Sequence, residues 1–399
     1  MPLYELLFGL LLRCMQVLKF GAPLLFTGQK FLENTVLITD REGKVIELVH
    51  INDAGEDVQY ENGMLCPGFV NCHCHLELSH MHGLIPEKTG LVDFVFNVVT
   101  QRHFKPNEIE EAIVKADEQM HMNGIVAVGD ICNTTHTLPA KLTSKTRYYN
   151  FIEASGWLPG VSKQRFERSL ATFNMFTQVP AQSAIVPHAP YSVSKELWKE
   201  IMPYFQRKVV TIHNHETAFE DEFFMKGSGD FTRMYQLMNI DNSHFTPAGT
   251  TSLRHYFSNL SAAANCILVH NTFTLTNDIA FANATAKQNS QNLFWCVCIN
   301  ANQYIENALP PLDRLIEQGS TIVIGTDSLA SNHSLDILGE IRTIKKHFAN
   351  IQLKHLLQWA TLNGAKALQM EDHLGSFDTG KKPGVLLIEN NLEGVRRLL

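Results

Sequence analysis

Four consecutive residues, Cys72, His73, Cys74 and His75 in VNCHCHLELSH (70–80), all carry metal-binding atoms. Alternate side chains of a β-strand share a face. In a strand, His73 and His75 would point one way and Cys72 and Cys74 the other, so the two pairs could not serve one ion. More imidazoles and carboxylates fall at the ends of apolar runs: His188 in SAIVPHA, His213, His215 and Glu216 in VVTIHNHE, His270 in CILVHN, and Asp327 in TIVIGTDS. Three imidazoles and a carboxylate around an open position have the composition of a catalytic divalent-metal site. Such a site brings the pKa of bound water near neutrality and yields a hydroxide nucleophile. A lone HxH is ordinarily local polar packing, but here the downstream groups recur at matching positions.

The elements that must position these groups are legible as apolar runs. Strands are expected at 68–75, 124–131, 147–154, 183–189, 209–216, 266–271, 293–300 and 321–328, with helical segments such as KELWKEIMPYFQRK between most of them. Repeated strand–helix units with apolar strands imply a parallel sheet covered on both faces. Eight of them imply an α/β fold of the (β/α)8 TIM-barrel type, in which the C-terminal strand ends meet at one face. Every group named above then lies at that face. Cys72 and Cys74 would face the helix layer as small hydrophobes, and Cys296 and Cys298 form a similar same-face packing pair. The connection 217–262 is long enough to serve as a lid or binding element.

Residues 15–66 carry short alternating runs and the hairpin-like DREGKV, and LGSFDTGKKPGVLLIEN near the other end returns to turns and short strands. The organisation expected is a small β-sandwich-like domain built from both chain ends, 1–66 and 371–399, around a barrel over 67–370. Met15 is expected to be the true start of the chain, because MQVLKFGAPLLF already reads as a first strand; a signal peptide or a surface helix are the other readings of the stretch before it.

The 399 residues carry a net charge of -7 and no Lys/Arg-rich run, so nucleic-acid or acidic-membrane binding has no electrostatic footprint. The eight cysteines form no CxxC pair, which suits reduced, buried thiols in a cytoplasmic protein. The partner implied is a small-molecule substrate; a homodimer is left open.

PGFVNCHCHLE (67–77), IHNHET (212–217), LVHN (268–271), IGTDS (324–328) and LGSFDTGKKPGVLLI (374–388), in this order, resemble the motifs of the amidohydrolase superfamily. The fourth strand, SAIVPHAPYSVS, has no Lys, Glu, Asp or Cys to bridge two metals, so the resemblance is to the mononuclear deaminase branch. It implies one divalent ion, zinc or iron, on His73, His75, His213 and Asp327. His270 would hold the attacking water and Glu216 would shuttle protons. Asp327 would accept the water proton as metal-bound hydroxide attacks an amine-bearing ring carbon and ammonia leaves. His188, Ser328, Glu77 and His215 would contact substrate, with local capping as the other reading of Glu77. His80 and His82 suit a surface or lid role. HLELSHMHG, HAPYSVS, ETAFEDEFFMKGSGDF and GTDSLASNHSLDILGEI are most similar to the aminodeoxyfutalosine deaminases of menaquinone biosynthesis. Neighbouring groups act on S-adenosylhomocysteine, guanine, cytosine or triazines. A cyclic-amide hydrolase and a metal-free binding barrel are the remaining alternatives.

Overall fold

The computed structural model describes residues 17–399. The expectation that Met15 begins the chain lies outside them. Eight parallel strands carry the middle of the chain: β1 (Phe69–Cys74), β2 (Ile125–Cys132), β3 (Arg147–Ala154), β4 (Gln182–Pro187), β5 (Val209–Asn214), β6 (Asn265–His270), β7 (Asn292–Val297) and β8 (Thr321–Ile324). They form two four-stranded sheets, β4-β3-β2-β1 and β5-β6-β7-β8. Their residues are almost all buried, as expected for apolar strands with helices outside them.

The expected unbroken ladder around all eight strands is not formed. The two seams are held by isolated bonds. At one, the His213 N–H donates to the His188 carbonyl at 3.0 Å. At the other, the N–H groups of Thr326 and Asp327 both donate to the His73 carbonyl at 3.0 Å, and Asn71 Nδ2 donates to Thr326 Oγ1 at 2.7 Å.

Four strands stop two or more residues short of expectation: β4 at Pro187, β5 at Asn214, β7 at Val297 and β8 at Ile324. β5 ends at Asn214 because His215 has φ +46, and β8 ends at Ile324, before Asp327 with φ +59. His270 (φ +71) and Asn271 (φ +57) turn similarly. A left-handed backbone breaks the period of two, and for such side chains it carries strain that clusters at functional sites.

The chain ends form two further sheets. One contains Val45–His50, Thr35–Thr39, Leu18–Gly21 and Gln59–Tyr60; the other contains Val395–Arg397, Val385–Ile388, Met64–Pro67, Leu24–Phe26 and Phe31–Leu32. Val385–Ile388 pairs antiparallel with Met64–Pro67, joining the two ends of the chain. A shared apolar cluster, including Phe20, Leu37, Leu65 and Leu387, packs the two sheets together.

The expected long loop 217–262 is partly helical, with helices at Phe219–Lys226, Phe231–Leu237 and Ser252–Tyr256. Phe223, Phe224, Phe231, Met234 and Tyr235 anchor it in an apolar cluster with Trp157 and Tyr191. No helix among the described residues is long and apolar enough to cross a membrane.

Candidate active site

His73 lies on β1 and His75 immediately after it, and their rings converge despite the strand ending between them. The two Nε2 atoms are 3.1 Å apart, and His75 Nε2 is 3.3 Å from His213 Nε2. Asp327 Oδ1 lies 3.6 Å from His73 Nε2 and 3.4 Å from His75 Nε2. Glycine is required beneath them: a Cβ at Gly325 would sit 2.8 Å from the His73 Cβ and 2.9 Å from the sulfurs of Cys296 and Cys298. Cys72, Cys74, Cys296 and Cys298 are fully buried in the apolar core.

The donor set fits a divalent cation. His213 Nδ1–H donates to the His188 carbonyl at 2.7 Å, so in the neutral ring Nε2 carries a lone pair. That lone pair faces other imidazole nitrogens and a carboxylate. Such a cluster of acceptors needs a positive charge at its centre. Burial pushes His73 down to about 4, and burial likewise holds His75 well below the usual imidazole range. Burial opposes ionisation of Asp327, but the hydrogen bond from His73 and the neighbouring imidazoles outweigh it, keeping its carboxyl well below the ordinary range. Neutral His73 and His75 beside an ionised carboxylate have the protonation states that metal binding needs. At His213 burial is outweighed by Glu216 and Glu153, which hold it above the usual imidazole range. Ser331 Oγ holds the second Asp327 oxygen at 2.5 Å.

His270 lies within 4.8 Å of His73 and His213. Its Nδ1–H donates to Asn302 Oδ1 at 2.8 Å, an amide orientation set by Asn302 Nδ2 donating to the His270 carbonyl. Its Nε2 is therefore an acceptor in the neutral ring, yet it lies 3.3 Å from Glu216 Oε1. Tyr191 Oη donates to the other Glu216 oxygen at 2.8 Å.

These groups form the floor of a cleft of about 330 Å³. His188 and Ser328 line it, as expected. Burial lowers His188 to about 3. Val95, Val98, Met234 and Ile240 form an apolar wall, and Arg102 and Arg165 reach the rim.

Two residues expected to contact substrate do not line this cleft. His215 is turned away from the cleft: Nδ1 meets Thr274 Oγ1 at 3.0 Å and Nε2 meets Asp221 Oδ1 at 2.9 Å. Its left-handed backbone takes it off the His213 face. Glu77 lines an adjoining cavity with Arg102, Asn133 and Glu153. Its carboxylate accepts from Arg102 at 2.8 Å and from Thr134 N at 2.9 Å, so it fastens Arg102 and the loop after β2. His80 and His82 bond the carbonyls of Arg102 and His333, away from the cluster. The positioning partners Tyr191, Asn302 and Ser331 carried no role in the sequence reading, although Tyr191 and Ser331 lie inside motifs it quoted.

The fold and this site define a hydrolase of C–N bonds. The model of the amidohydrolase family matches residues 64–396, and the chain belongs to that family. Among curated relatives, the 5-methylthioadenosine/S-adenosylhomocysteine deaminase of Teredinibacter turnerae is 27% identical over 358 residues, 84% of this chain and 74% of its own length. An adenosine deaminase of Helicobacter pylori is 25% identical, over 89% of this chain and 85% of its own. The aminodeoxyfutalosine deaminase of Nitratiruptor sp. is 24% identical, over 92% and 89%. The solved structure of Helicobacter pylori aminofutalosine deaminase with methylthio-coformycin superposes with a TM-score of 0.81 at 24% identity, covering 94% of this chain and 92% of that one. Such neighbours imply a TIM-barrel α/β fold.

Proposed function

We propose that this chain is a metal-dependent deaminase of an adenine-type nucleoside, with 6-amino-6-deoxyfutalosine, of menaquinone biosynthesis, as its substrate in the cytoplasm. The observation that carries the reading is the joint placement of the imidazole–carboxylate cluster and the adjacent Glu216–His270 pair at one cleft. The names of three curated relatives, deaminases of 5-methylthioadenosine/S-adenosylhomocysteine, of adenosine and of aminodeoxyfutalosine, support the substrate class. The apolar wall with arginines at its rim suits a nucleoside whose substituent is apolar with an anionic end.

In this reading His73, His75, His213 and Asp327 hold one zinc or iron ion. The chemistry that ion supplies when bound is Lewis acidity, which makes water nucleophilic at neutral pH. His270, with Nδ1 fixed by Asn302, orients the water through Nε2. Asp327 accepts the water's proton while Ser331 keeps its carboxylate aimed. Glu216 delivers a proton to the ring nitrogen, the proton on Asp327 passes to the departing amine so that it leaves as ammonia, and the proton lost from the added hydroxyl as the carbonyl forms restores Glu216. His188 and Ser328 position the base. The strands of 17–66 and 371–399 make up the small β domain, and 67–370 the barrel-type domain of strand–helix units.

Purified protein should release ammonia from aminodeoxyfutalosine faster than from methylthioadenosine, S-adenosylhomocysteine or adenosine, followed by the ultraviolet change of the ring. Absence of ammonia from adenine, guanine and cytosine derivatives in metal-loaded protein would refute deamination.

A further inference from the structure

A second cluster of ligating groups lies on the far side of Glu216 from the cleft. His215, Asp221 and Asp278 bring ligand atoms within 4.8 Å of one another. His215 and Asp278 are almost wholly buried, whereas Asp221 retains some exposure. Glu220, also fully buried, lies one residue before Asp221, and its Oε2 accepts the Glu216 N–H at 3.3 Å.

The ordinary explanation for such acids is capping of helix ends. It accounts for part of their bonding. Asp221 Oδ1 accepts from Ser252 N at 2.8 Å, and Asp278 Oδ1 accepts from Thr251 Oγ1 at 3.0 Å and Arg254 Nε at 2.8 Å. Three buried atoms are left over. Asp278 Oδ2, Glu220 Oε1 and Ser252 Oγ have no hydrogen-bond partner among the described residues. Leaving a buried carboxylate oxygen without a donor costs free energy. A cation held by His215, Asp221 and Asp278 would give Asp278 Oδ2 the partner it lacks, while Ser252 Oγ faces Glu220. Arg254 pairs with Asp278 and the His215 imidazole with Asp221, while burial pushes the Glu220 carboxyl up to about 7.

We propose that His215, Asp221 and Asp278, with Glu220 beside them, form a second site for a divalent first-row cation, distinct from the catalytic centre. One imidazole nitrogen with carboxylate oxygens suits Zn²⁺ or Mn²⁺. The half-open side of Asp221 gives the ion its path in. Because Glu216 joins the two clusters through its backbone, an ion here would stiffen the turn that aims the proton carrier.

The test is metal content, not activity. The protein is stripped with a chelator, reloaded with Zn²⁺ or Mn²⁺, freed of excess ion and assayed by elemental analysis and thermal unfolding. His73→Ala should lower the bound metal but leave a second equivalent in place, and adding ion should raise the unfolding midpoint of that variant. Introducing Asp278→Asn into His73→Ala should abolish both effects, as should Asp221→Asn, which serves if the former does not fold. Residual metal absent from His73→Ala, or retained after Asp278→Asn and Asp221→Asn, overturns the second site. Failure of the catalytic-centre reading appears separately, as His73→Ala binding as much metal as wild type.

Discussion

Glu216 spends one oxygen on Tyr191 and the other on His270, so Gln at this position keeps much of the packing and loses the proton carrier. Glu216→Gln should lower kcat by roughly a hundred- to ten-thousand-fold with metal content unchanged; a variant with wild-type kcat would remove Glu216 from the chemistry. His73→Ala should empty the catalytic centre, whereas Cys74→Ala should keep its metal, and elemental analysis separates the two. A second titratable group sits behind Asp327. Glu340 accepts from Asn332 at 3.0 Å and Asn300 N at 3.2 Å, and burial pushes its carboxyl up to about 8 from the ordinary 4.5. Between those values the folded chain holds a proton that the unfolded chain has released. Stability therefore falls as pH rises through that window, at most by about 1.4 kcal/mol per pH unit for one such group. Glu340→Gln should flatten this slope in urea unfolding measured across the window; an unchanged slope would assign it to other groups. Strand alternation separated His73 from Cys74 without a structure, because both lie on β1. The same rule misplaced His215, since a backbone at φ +46 leaves no mark in residue type.

At the level of elements, the strand positions were legible within a residue or two at most ends, because buried parallel strands write long apolar runs. The segment 217–262 was not, because its short helices take their stability from tertiary packing rather than from a long amphipathic pattern. Trp157 is the hinge of that packing. Its ring stacks on Tyr235 at 5.4 Å between centroids, it touches Phe223 and Phe245, and its Nε1–H donates to Asn242 at 2.6 Å. Trp157→Ala should cost roughly 3–5 kcal/mol locally and speed amide hydrogen exchange over 219–245 while leaving β5 to β8 protected. Equal loosening of the strands would mean that the segment and the sheets form one cooperative unit.

For the whole molecule, the pairing of Val385–Ile388 with Met64–Pro67 was foreseen from turn-rich composition at both ends, but its register was not, since antiparallel partners more than 300 residues apart share no local signal. Arg397 adds bonds to the carbonyls of His121 and Ile125. Removing residues 384–399 would strip an internal strand from its sheet, so the shortened chain should lose cooperative thermal unfolding; a sharp transition near the wild-type midpoint would show that the central strands stand alone. The seam between β1 and β8 has a consequence for biosynthesis. Asn71 and Thr326 meet across 255 residues of chain. A ribosome working at about 5–20 residues per second needs roughly ten to fifty seconds to cover that distance. Throughout that interval one edge of β1 waits unpaired, a hydrogen-bonding template open to any passing strand. The emerging chain is thus most exposed to misassociation, and most dependent on chaperone shielding, beside the very histidines it will later need.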